Sequence, residues 1–220
     1  MARPARMLLL LIDPEAATHQ LKGRGERADM GRLGRMMRGM ALTAGLAAAA
    51  LVGHLTYLHF SGNFHPVVAG ELYRSAQVSG ADIAIYRTSY GIRSILNLRG
   101  AAPGEDWYDA EVAASDKLGL THADFAMNAS RQIGADEAAR LVALMRGMPK
   151  PLLVHCRHGS DRTGLAVSLY LAAIKGADEA EAEKQLSLRF GHFAVPWLSD
   201  AWPMDQSWER LEPSLGFSAS

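Results

Sequence analysis

The residues best suited to chemistry in this 220-residue chain are contiguous: Val154-His155-Cys156-Arg157-His158-Gly159-Ser160-Asp161-Arg162-Thr163-Gly164, a stretch that contains the only cysteine. Five residues separate Cys156 from Arg162. That spacing sets a sulfur nucleophile against a planar guanidinium able to fork onto two oxygens of one small anion, a geometry lysine cannot supply. The apolar run Pro151-Leu152-Leu153-Val154 reads as a short buried strand, and Leu165–Lys175 as a helix. The loop between them then lies where a helix N-terminus turns backbone N–H groups and a partial positive charge toward whatever is bound. A thiol in such a field is expected to act as a thiolate. Gly159 lets the loop curl with its amides inward. Arg157, His158, Gly159, Ser160, Asp161 and Arg162 would together cradle a phosphoryl group, and Thr163 offers a hydroxyl at the helix start. The plain alternative is a buried structural thiol, the common fate of a lone cysteine.

Cleaving a phosphate ester also needs a proton for the departing oxygen. Two carboxylates compete for that task. Asp124 lies 156 − 124 = 32 residues before Cys156, at the carboxyl end of an expected strand, whereas Asp161 sits inside the loop beside Arg162. Asp136 reads instead as the start of a helix, where carboxylates are favoured. His155 is read as orienting the loop through hydrogen bonds. A metal site from His155, Cys156 and His158 would lack further ligands, so neither a metal nor another cofactor is expected.

The loop resembles the Cys-(x)5-Arg-Ser/Thr signature of the cysteine-dependent protein tyrosine and dual-specificity phosphatases, with His155, Gly159, Arg162, Thr163 and Gly164 in the family's order. Phe64-His65, Leu72-Tyr73-Arg74-Ser75-Ala76-Gln77, Ile95-Leu96-Asn97-Leu98-Arg99 and Leu186-Ser187-Leu188-Arg189-Phe190-Gly191-His192 look like its compact bacterial, dual-specificity-like branch. The resemblance implies a metal-independent phosphomonoesterase. In it Cys156 attacks phosphorus, Arg162 and the loop amides hold the oxygens, Thr163 donates to the sulfur, and water hydrolyses a cysteinyl-phosphate. The separation of Asp124 from the nucleophile is similar to that of the general acid in dual-specificity phosphatases, although the Trp-Pro-Asp motif of the larger enzymes is absent. Asp161 is similar to the aspartate of myotubularin-type Asp-Arg-Thr loops. Arg74 and Arg99 fall in framework motifs and are equally readable as structural ion-pair partners. Two other classes stay open: a phosphate-binding module without turnover, and a rhodanese-like sulfur transferase, against which Arg162-Thr163-Gly164 argues. The substrate is expected to be a phosphorylated protein or small phosphomonoester, with phosphotyrosine, phosphoserine/threonine and inositol phosphate all open.

The elements that must position this loop are legible as alternating patterns. A strand or hairpin is expected over Val67–Arg74, a helix capped by Ser79 through Tyr90, strands at Ile92–Leu98 and Leu120–Phe125, and helices at Trp107–Leu118 and Ala135–Met148. A further helix is expected at Asp178–Phe190, with Trp197, Trp202 and Trp208 covering the core. This order predicts an α/β fold with a central, mostly parallel sheet flanked by helices. Ligands gather at the carboxyl ends of such strands, so Arg99 and the 126–134 loop should end near Cys156.

Residues 1–39 read as a basic, flexible segment, whose apolar run Met7–Ile12 is too short to cross a bilayer. Residues 40–60 run almost without charge and read as a transmembrane anchor, with a buried helix of a soluble protein as the alternative. Arg32, Arg35 and Arg38 precede it, so the positive-inside rule puts the 61–220 phosphatase domain on the exported, periplasmic side, with a cytoplasmic domain as the alternative. Residues 1–60 carry eight Lys/Arg against four Asp/Glu and residues 61–220 fifteen against nineteen. The slightly acidic main domain offers no footprint for nucleic acid.

Overall fold

The computed structural model describes the backbone of residues 14–217 and the side chains of residues 35–217. Apolar and β-branched runs give five four-residue strands: β1 (His65–Val68), β2 (Leu72–Ser75), β3 (Ser94–Asn97), β4 (Thr121–Asp124) and β5 (Leu152–His155). They align in the order β1-β2-β5-β3-β4. β1 and β2 form an antiparallel hairpin, and the remaining neighbours are parallel. The expected mostly parallel α/β sheet is present, with each strand shorter than its apolar run.

Period-two alternation sorts the strand side chains between two cores. Leu72, Leu96, Leu152 and Val154 face one side, where they meet Leu141 of α4 (Ala135–Gly147), Leu165 of α5 (Asp161–Tyr170) and Trp208 of α7 (Trp202–Leu215). Tyr73, Ile95 and Leu153 face the other, against Ile83 of α2 (Gly80–Tyr90) and Ala114 of α3 (Asp106–Lys117). The cap anticipated at Ser79 is a reciprocal box: its hydroxyl accepts from the Asp82 N–H while Asp82 accepts from the Ser79 N–H.

Three expectations need correction. Asp178–Phe190 is not one helix but a short α6 (Glu179–Glu183) followed by a 3₁₀ turn at Leu188–Phe190. Carbonyls that would continue the helix are taken by core side chains: Ser168 Oγ donates to Ala182 O at 2.8 Å and Arg74 Nη1 to Gln185 O at 3.0 Å. Of the three tail tryptophans only Trp208 is buried; Trp197 is 86% exposed and leans on Trp202. The signature helix begins at Asp161 and its last turn widens into a π-turn at Leu171–Lys175.

The chain divides after Gly53 into two compact units. The helix α1 runs from Pro14 to Phe60, so the backbone of residues 14–39, expected to be flexible, is helical; its Ala, Leu, Met, Arg and Glu content outweighs five scattered glycines. Met7–Ile12 lies outside the described residues. Within α1, Arg35–Phe60 is long and apolar enough to cross a membrane. The last turns of α1, from His54, belong to the larger unit, where Leu58 is buried and His54 Nε2 lies 2.9 Å from Leu188 O.

Candidate active site

Parallel register places Ser75 of β2 and Asn97 of β3 beside His155, so three strands end on one rim. The loop Cys156–Ser160 leaves that rim and enters α5. Its outer surface is fully engaged. Arg157 O accepts from the Gln77 N–H at 3.3 Å, His158 O from Asn63 Nδ2 at 2.9 Å, Gly159 O from Arg74 Nη2 at 2.7 Å, and Ser160 O from the Gly164 N–H at 2.8 Å. With successive carbonyls bound from outside, the loop amides are turned the other way, and the Gly159 N–H donates to Cys156 Sγ at 3.3 Å. Cys156 itself is buried. Gly159 adopts φ +72°, and a Cβ there would lie 2.6 Å from the Ser75 carbonyl, so no other residue fits.

Arg74 is the main clamp. It is wholly buried, bonds Gln185 through both its main-chain oxygen and Oε1, and stacks on Phe190 at 3.8 Å. Burial pulls its guanidinium down to about 9, an effect that the charges of Cys156 and Asp161 partly offset. The sequence placed Arg74 in the framework without a role, and gave no sign of Asn63, whose amide holds both His158 O and Phe190 O.

Arg162 is half-buried, and its Nη1 donates to Met127 O at 3.3 Å, bringing the 126–134 loop over the site as expected. Arg157 and His158 are exposed at the rim; burial and then the charge of Arg157 lower His158 below its ordinary value. The expected bond from Thr163 to the sulfur is not formed: Thr163 Oγ1 is buried without a partner among the described residues.

Beneath the loop, Glu111 of α3 is fully buried between two histidines. His155 Nε2 and His122 Nε2 each lie 2.8 Å from its Oε1, and Gln77 donates to Oε2. Burial alone would raise this carboxyl, but hydrogen bonds from His122, His155 and Gln77 hold it at about 2. Gln77 also accepts from Arg99, which stacks on Trp107 at 3.3 Å. The hydrogen bond of His155 thus runs beneath the loop, to a glutamate that no local motif marks.

The two candidate acids are placed differently. Asp124 accepts from Asn97 Nδ2 at 2.8 Å and from Tyr108 Oη at 2.6 Å, and bonds no residue of the loop. Its hydrogen bond pushes the Tyr108 hydroxyl up to about 12. Asp161 instead lines a cleft of about 380 Å³ together with Arg157, His158, Ser160, His59, Phe190 and Phe193. Phe125–Ile133, the segment crossing Arg162, contains no carboxylate.

A family model described as the DSP-PTPase phosphatase domain of Swiss Army Knife proteins matches residues 63–208. The fold is similar to that of Pseudomonas aeruginosa TpbA in complex with pTyr, at TM-score 0.52 and 19% identity over 67% of this chain and 83% of that one. It is also similar to the core catalytic domain of the PP-IP phosphatase SIW14 from Saccharomyces cerevisiae, at TM-score 0.50 and 19% identity over 66% of this chain and 85% of that one. No curated protein matches the chain by sequence.

Proposed function

Because the chain belongs to the DSP-PTPase phosphatase family and is a phosphatase of the tyrosine/dual-specificity type, we propose that it hydrolyses phosphomonoesters through a cysteinyl-phosphate. Cys156 Sγ attacks phosphorus as the ester P–O bond breaks; water then attacks phosphorus, releasing phosphate and the thiolate. Arg162 forks onto two equatorial oxygens and the loop amides take the third. The observation that carries this reading is the outward bonding of the carbonyls of Arg157, His158 and Gly159 beside a sulfur that already receives the Gly159 N–H. Thr163, buried in the first turn of α5, is the group proposed to donate to the sulfur as the intermediate breaks down. Cys156→Ser is expected to abolish turnover while vanadate still binds; retained turnover would refute the assignment.

Asp161 is the carboxylate we assign to proton handling, in preference to Asp124. It borders the cleft, whereas both oxygens of Asp124 are committed to Asn97 and Tyr108. For substrate, a phosphorylated protein side chain is the leading class: the similar TpbA structure holds pTyr, and Arg157 adds positive charge at the rim. SIW14, a PP-IP phosphatase, makes inositol phosphates the competing class. Rates on phosphotyrosine peptides, phosphoserine peptides and inositol phosphates decide between them; turnover confined to inositol phosphates would exclude the protein substrate.

The domain is further proposed to be tethered by α1 as a single membrane pass. The catalytic unit begins at His54, so the uncharged run left for the bilayer is residues 39–53, roughly 15 residues or ~22 Å of helix, which meets a ~30 Å hydrocarbon core by local thinning and by Arg35 and Arg38 snorkelling to the interface. Arg32, Arg35 and Arg38 at its N-terminal side favour an exported, periplasmic domain. A reporter fused after Ser220 should be active only outside the cytoplasm; activity inside alone would reverse the orientation.

A further inference from the structure

Behind Asp161 lie His192 and Asp205. His192, only 3% exposed, sits between two carboxylates: Nδ1 is 2.8 Å from Asp161 Oδ1, and Nε2 is 3.0 Å from Asp205 Oδ2. An imidazole with a carboxylate on each ring nitrogen donates from both, which only the imidazolium can do. Asp205 stands in the first turn of α7 and Asp161 in the first turn of α5, so the histidine ties the loop's own helix to the last helix of the domain. Other charged groups face the cluster: Arg74 of β2 and His158 of the loop act on Asp161, and Glu183 of α6 lies near Asp205.

We propose that Asp205 and His192 are positioning residues that form a proton relay to Asp161, an inference that rests on Asp161 being the proton carrier of the phosphatase reaction. When the S–P bond forms and the ester P–O bond breaks, the leaving oxygen takes a proton delivered through Asp161 and supplied from His192 Nδ1. The imidazole is left neutral against Asp205. When water attacks phosphorus and the S–P bond breaks, the water proton returns through Asp161 to His192. One turnover restores both groups, with no net proton or electron left on the protein. Asp161, flanked by a charged donor, thus serves both half-reactions from one place on the cleft wall.

Burial by itself would lower His192, but its hydrogen bonds to Asp161 and Asp205, reinforced by their charges, raise it to about 9. The basic limb of the pH–rate profile should therefore fall near that value. Removing the Asp205 charge weakens the protonated form, so Asp205→Asn moves the limb to lower pH, by on the order of one unit or more. His192→Gln should lose about 10²-fold in kcat on an alkyl phosphate, whose leaving oxygen needs a proton, and much less on a nitrophenyl phosphate, whose leaving group does not.

The test is performed on the full chain, with kcat measured across pH for both phosphates in the three proteins. The relay predicts a displaced limb for Asp205→Asn and a steeper loss on the alkyl phosphate for His192→Gln. Equal losses on both substrates with an unmoved limb would overturn it. Imidazole ¹H–¹⁵N spectra of the unsubstituted protein give a reading independent of folding of the variants: His192 protonated on both nitrogens at pH 8 supports the relay, and a neutral tautomer at pH 7 refutes it. Failure of the underlying phosphatase reading is distinguishable, because it would leave Cys156→Ser active.

Discussion

Two buried clusters flank the loop, and each inverts the other. Under the loop a carboxylate, Glu111, is held between two histidines; at its rim a histidine, His192, is held between two carboxylates. The first is closed: both oxygens of Glu111 are bonded by His122, His155 and Gln77, and it has no exposed surface. The second opens onto the cleft through Asp161. The difference teaches that similar buried ion clusters serve different ends according to whether one member lines the cleft. Glu111 fixes the strand end that delivers Cys156, while His192 supports a group able to exchange protons with a substrate.

The largest effect should come from breaking the closed cluster. Glu111→Ala leaves two histidines and Gln77 without their acceptor and is expected to cost about 3–5 kcal/mol of stability, read by denaturant unfolding. An unchanged midpoint would show that the cluster holds nothing together. The comparable change at the open cluster, His192→Gln, should act mainly on rate.

Opposite pH dependence separates the clusters next. Glu111 is held at about 2, below its ordinary value, so its contribution is present above about 4.5 and is lost as pH falls toward 2. His192 is raised to about 9, so its contribution is full below about 6.5 and is lost as pH rises through 9. Each shift corresponds to about 3 kcal/mol. Unfolding measured across pH should show Glu111→Gln flattening the acid side and His192→Gln the alkaline side; a loss of both limbs in one variant would contradict the division.

Smaller effects sort the two aspartates. Asp161→Asn should lower kcat by about 10²-fold, and Asp124→Asn by less than about tenfold, the residual reflecting the Tyr108 contact. The reverse ranking would move the proton to Asp124.

The Cys156–Arg162 loop was legible because it is local: sulfur, guanidinium and Gly159 fall within seven consecutive residues, and the helix starts among them at Asp161. The succession of strands and helices along the chain and the Ser79 cap were legible for the same reason. The groups that hold the loop in shape were not, since Asn63 reaches His158 across 95 residues, Glu111 reaches His155 across 44 and His192 reaches Asp161 across 31. His192 stood in a framework motif, yet nothing in its neighbourhood in sequence marks Asp205 as a partner. The Asp178–Phe190 helix failed where Ser168 and Arg74 capture carbonyls that a sequence pattern assigns to the helix. Asp124 drew attention by its distance from Cys156, and only side-chain geometry shows its oxygens engaged elsewhere.

The central claim is that Cys156 carries the phosphoryl group. Acid-quenching the enzyme during turnover of an aryl phosphate and measuring the mass of its peptides tests it directly. A single phosphoryl adduct on the peptide containing Cys156, absent from Cys156→Ser, is the predicted result; steady turnover with the adduct on another residue, or undiminished in Cys156→Ser, would contradict it.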